Sequence, residues 1–146
     1  MASFNSDNDM KKFRPNILDL GVDSWKTQRE EAYSIICRAV DLRWYRKVAA
    51  DMGHDWRETP FNADLILGDD LQRAGTFKSL ELAYLYIKKS GEADDAHSNL
   101  EKEFRKLYTE EIDAVLAVGI DYDWDGSGAT DWTEQQIYSS RRQMRV

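Results

Sequence analysis

Apolar residues recur along most of this chain at the spacing of one helical face, and they predict three long helices. The first runs from about Ser24 to about Met52. Trp25, Ala32, Tyr33, Ile36, Ala39, Val40, Trp44 and Val48 fall there mostly three or four positions apart. Asp23 or Ser24 is the expected cap, Thr27 and Glu30 have capping-box spacing, and Gly53 ends the run. A rod of that length leaves room for a kink near Asp41. The second helix spans roughly Asp70 to Ser90, with Leu71, Ala74, Phe77, Leu80, Ala83, Tyr84 and Ile87 on its stripe and Gly91 as its terminator. Gly75 inside it costs about 1 kcal/mol against Ala and marks a bend or a close approach. The third runs from about Asp95 to Val118. Asp94 or Asp95 caps it, Ala96, Leu100, Phe104, Leu107, Tyr108, Ile112, Val115 and Leu116 form its stripe, and Gly119 closes it.

The segments between follow other rules. Residues 53–63 read as a loop in which His54, Trp56, Pro60 and Asn62 supply turn chemistry and an aromatic anchor. A short helical piece, Ala63 to Leu67, stops at Gly68. Residues 1–22 show no period and Pro15 breaks helix, so they are expected as an extended arm. Its Ile17, Leu18 and Leu20 are apolar enough to dock on the domain or on a neighbour. After Gly119 the period becomes two: Ile120, Tyr122 and Trp124 alternate with Asp121, Asp123 and Asp125, as in a half-buried strand. Asp125-Gly126-Ser127-Gly128 is a turn. Trp132 to Arg145 either returns as a strand through Gln136-Ile137-Tyr138 or forms a short helix started by Thr133. The fold class expected is all-α: a bundle of three main helices over 23–119, an arm over 1–22, and a short β-hairpin or extended C-terminal arm over 120–146.

Composition narrows the picture. A chain of 146 residues suits one domain with a real core. With 42% hydrophobic and 32% charged residues it is of globular type. Five Trp and seven Tyr exceed what a small core needs, so they either make that core aromatic or anchor interfaces. A net charge of −7 lacks the basic footprint of a dedicated nucleic-acid binder. The basic pairs Lys88-Lys89 and Arg105-Lys106 read as solvated helix faces. Cys37 is the sole cysteine, which excludes an internal disulfide, and within Ile35-Ile36-Cys37 a buried, inert thiol is expected. No signal-peptide pattern and no apolar run approaching about 18 residues occurs, so neither classical secretion nor a membrane span is expected.

One motif has the shape of a chemical site. Asp121-x-Asp123-x-Asp125-Gly126 matches the first half of a calcium loop, where alternate carboxylates and a sharp turn wrap a hard cation. The second half departs: Trp132 occupies the position of the bidentate Glu, and Gly128 the usual apolar one. Asp121, Asp123 and Asp125 are therefore weak metal candidates, and the bland alternative is a row of solvated acids before a turn. A calcium-binding helical interaction module is the rival function they define. His54 and His97 lack zinc spacing, no nucleophile elbow occurs, and Gly126-Ser127-Gly128 is no phosphate loop. No catalytic residue and no cofactor is predicted. Arg141, Arg142 and Arg145 are able to pair with a neighbour's acidic strand in a symmetric assembly, which fixes register more than it stabilises.

The order of these segments resembles the helical head-to-tail connector, or adaptor, proteins of tailed bacteriophages. The likeness begins with Arg38-Ala39-Val40 and Trp44-Tyr45-Arg46 in the first helix. It continues through Phe61-Asn62-Ala63-Asp64 and Phe77-Lys78-Ser79-Leu80-Glu81-Leu82-Ala83-Tyr84. It ends with Val118-Gly119-Ile120, Asp121-Tyr122-Asp123-Trp124-Asp125 and an arginine-bearing tail. It covers most of residues 24–146 through diffuse motifs. The resemblance implies a structural protein of the virion neck, made in the host cytoplasm, whose copies form a ring, usually dodecameric, beneath the portal protein. That ring continues the DNA channel and receives a neck or tail protein. It also implies that the C-terminal segment reaches the portal or a neighbouring subunit, which gives Trp124, Trp132, Tyr138, Arg141, Arg142 and Arg145 an interface role. The acidic run over 121–125 is a departure from the family pattern.

Overall fold

The computed structural model describes residues 2–89 and 95–125. The chain is mostly helical, as the pattern predicts. Its helices are α1 (Asp7–Phe13), α2 (Lys26–Val40), α3 (Arg46–Asp51), α4 (Gln72–Lys89) and α5 (Asp95–Val118), with single 3-10 turns at Ile17–Asp19 and Ala63–Leu65. The described residues contain no strand, only one antiparallel bridge between Ile66 and Tyr122. The predicted returning strand or helix after residue 125 lies outside the described residues. The described residues divide into two compact units, one drawn from 1–36 with 71–112 and one from 37–70 with 113–125.

In the first unit the N-terminal segment is not an extended arm. Asp7–Phe13 is a helix because Ser6 and Asp9 make a reciprocal capping box: the Ser6 hydroxyl accepts from Asp9 N and the Asp9 carboxylate accepts from Ser6 N. The helix buries Met10 completely, and the chain beyond it buries Ile17. Asp7 then fastens the start of α2 by accepting from the Ser24 hydroxyl at 2.7 Å, Trp25 N at 3.2 Å and Arg29 Nε at 3.1 Å. The fully buried Trp25 satisfies its indole N–H on the Ile17 carbonyl at 2.8 Å. A buried donor left unmatched costs about 1–3 kcal/mol, so this bond fixes where the segment lies.

Helix α4 is buried well beyond one stripe. Its predicted apolar positions are all inside, but so are Gly75, Thr76, Ser79, Glu81 and Leu82. Each polar member has a partner. Thr76 donates to the Gln72 carbonyl, Ser79 donates to Asn5 Oδ1 at 3.2 Å, and Glu81 pairs with Lys78 at 3.0 Å. Gly75 is the predicted close approach: a Cβ there would meet Phe4 Cβ at 3.0 Å and Asn5 Oδ1 at 3.2 Å. Tyr84 lies parallel to Phe104 with centroids 6.0 Å apart and accepts from Arg14 Nε. On α5 the stripe holds at Phe104, Tyr108 and Ile112, whereas Ala96 is exposed and Glu101, paired with Arg105, is buried.

In the second unit the long first helix changes pitch near Asp41. Asp41–Tyr45 is a π-turn whose closing bond runs from Arg46 N to the Asp41 carbonyl, five residues back. The same spacing lets the Arg46 guanidinium reach the Asp41 carboxylate at 3.2 Å, a pairing in register with the wider turn. Within this turn the consecutive residues Trp44 and Tyr45 are both buried. Gly53, at φ +81°, ends the helix as predicted. Cys37 is half-buried rather than fully inside. Gly119, at φ +104°, ends α5 and sends the chain back along residues 65–67. There Leu67 N donates to the Asp121 carbonyl at 3.0 Å and Asp123 N to the Leu65 carbonyl at 2.8 Å.

Candidate functional site

Tyr45, Phe61, Tyr122 and Trp124 meet in the second unit around a cavity of about 410 Å³. Trp124 is parallel to Tyr45 at 5.4 Å and to His54 at 5.7 Å, with interplanar angles of 8° and 9°. Phe61 lies over Tyr122 at 5.7 Å, and Tyr45 contacts both of them at an angle. Exposed Thr59, Pro60 and Asn62, with half-buried Leu65, complete the lining. The π-turn supplies Tyr45, the loop after Gly53 supplies His54 and Phe61, and the returning 119–125 segment supplies Tyr122 and Trp124.

The polar atoms of this cluster are spoken for. Tyr122 Oη accepts from Asn62 N at 3.0 Å, and the Tyr45 hydroxyl donates to the Thr59 carbonyl. Burial pushes the Tyr122 hydroxyl up to about 12, against the opposing pull of the Asn62 N–H. Burial likewise raises Tyr45, in spite of its bond to Tyr122. Both phenols are therefore neutral near pH 7, and the cavity presents rings rather than ionised groups. In the same unit Trp56 is flanked by two guanidiniums, Arg46 at 3.9 Å and Arg57 at 4.8 Å from the ring centre.

The acidic run does not behave as a row of solvated carboxylates. Asp123 is buried at 3% exposure, Asp121 is half-buried, and Asp125 is exposed. A single bridge does not make a two-faced strand, so strict alternation fails after Tyr122. Asp121 N also lies 3.5 Å from Asp70 Oδ2. Among the described residues no group of three or more His, Cys, Asp or Glu side chains is placed to hold a metal ion. Trp124, a predicted interface residue, belongs to the cavity. Trp132, Tyr138, Arg141, Arg142 and Arg145 lie outside the described residues. The predicted anchors omitted Tyr45, Phe61 and Tyr122. Their signal in the sequence is the density of rings over 44–61 and 122–124. No family model, no curated protein and no solved structure matches this chain. No helix among the described residues is long and apolar enough to cross a membrane.

Proposed function

We propose that this chain is a structural adaptor rather than an enzyme, of the head-to-tail connector kind. Copies assemble into a ring beneath the portal protein of a tailed phage, dodecameric by that resemblance. The ring joins the capsid to the neck or tail and continues the DNA channel. The observation that carries the reading is the aromatic cavity of the second unit. It is lined by rings whose hydroxyls are already bonded within the chain, on a mostly helical scaffold. Such a surface suits a segment of another protein, because aromatic anchors dominate protein interfaces. The net charge of −7 fits a wall past which DNA slides without adhering. Native mass spectrometry and electron microscopy of the chain mixed with portal protein test the proposal. A ring that binds the portal is expected. A stable monomer that ignores portal protein overturns it.

A further inference from the structure

The two segments that frame the aromatic cavity, residues 53–70 and 119–125, carry eight carboxylates against a single arginine, Arg57. Glu58 and Asp64, both exposed, flank the lining residues Thr59 and Leu65. A cavity walled by rings and set in a field of negative charge is chemically selective. Ring faces attract cations through their quadrupole, and the attraction strengthens as water is excluded. An anion entering here meets repulsion from both framing segments, and a neutral apolar chain gains nothing from the carboxylates.

From this juxtaposition we propose that the cavity binds the guanidinium of an arginine carried on a peptide segment of a partner chain. The planar group lies against the rings of the cavity wall, and the carboxylates of the framing segments attract its charge. Arginine is favoured over lysine because a guanidinium is flat, stacks on rings and is weakly hydrated, whereas an ammonium is a compact, strongly hydrated charge. The same unit already uses this chemistry where the Arg46 guanidinium lies 3.9 Å above the Trp56 ring. The inference does not require a ring of copies, because peptide binding is read on the isolated protein.

The test is calorimetric titration of the full chain with a synthetic peptide of its own residues 139–145, which contains three arginines. The host carries Arg141→Gln, Arg142→Gln and Arg145→Gln, so that its own arginines do not compete. Binding is expected with the arginine peptide, about tenfold weaker binding with lysine in place of arginine, and none with glutamine. Glu58→Lys with Asp64→Lys, both surface changes, weakens binding severalfold without altering the circular dichroism. Trp124→Ala removes one stacking face and abolishes binding. Equal affinity for arginine and lysine peptides, an unchanged affinity in the Glu58→Lys, Asp64→Lys host, or no binding at all overturns the proposal. A peptide that binds a chain forming no ring sustains this inference while defeating the adaptor reading.

Discussion

Alkaline titration of the Tyr122 hydroxyl is the most direct probe of the aromatic cluster. Its pKa rises from the ordinary 10.0 to about 12 because burial strips water from the phenolate. A raised acid contributes stability that is complete below pH 10 and disappears as the pH climbs towards 12. That rise corresponds to about 2.7 kcal/mol at most, of which roughly half is gone by pH 11. Tyr122→Phe removes the ionisable group but orphans the Asn62 N–H, which it caps at 3.0 Å, a loss of about 1 kcal/mol at neutral pH. The chain that keeps Tyr122 is therefore expected to be the more stable at pH 8, and the two stabilities should meet near pH 11. Urea unfolding followed by tryptophan fluorescence from pH 8 to 11 measures the difference. Tyr45, which is bonded to Tyr122, is replaced by Phe in both chains, and the remaining tyrosines then titrate alike and cancel. A difference that stays constant across this range would show that the hydroxyl is hydrated, and the buried cluster would be wrong.

Gly75→Ala should gain about 1 kcal/mol of helix propensity in isolation. Contact with Phe4 and Asn5 is expected to reverse that sign, lowering stability by roughly 1 kcal/mol and speeding amide exchange over residues 4–14. A stabilised variant with unchanged exchange would refute the docking of the N-terminal segment. Ser6→Ala should cost about 1 kcal/mol through the lost cap and appear as fraying of α1 by hydrogen exchange. Burial raises the Asp9 carboxyl, but bonds from Ser6 N, Gln72, the Ser6 hydroxyl and Lys12 outweigh it and hold the pKa below the ordinary value. The contribution of Asp9 is present above pH 3.8 and lost below it, so Asp9→Asn should flatten the acid side of the stability curve.

The three long helices were legible because their apolar spacing and glycine terminators are strong local signals. Asp95–Val118 is found with the boundaries expected, and the break near Asp41 is a π-turn. Helix α1 was not legible, since a seven-residue polar stretch has no period and its capping box uses Asp at the third position where Glu or Gln is usual. The burial of Ser79, Glu81 and Asp123 also escaped, because a polar side chain goes inside only when a distant partner satisfies it, and a sequence does not display its partners. The cavity escaped for the same reason. Its rings come from residues 45, 54, 61, 122 and 124, joined only by the fold.

The π-turn makes the first long helix tolerant of a change in length at one place. In a regular α-helix each residue advances about 100° around the axis, so a deletion there turns everything beyond it by about that angle. Between Asp41 and Arg46 the chain holds one residue more than an ordinary turn. Removing the exposed Leu42 would leave Arg46 N bonded to the same carbonyl, now four residues back, with Tyr45 close to its present bearing. Among natural versions of this chain, one-residue length changes in this helix should therefore gather at positions 41–45 rather than in the regular turns on either side.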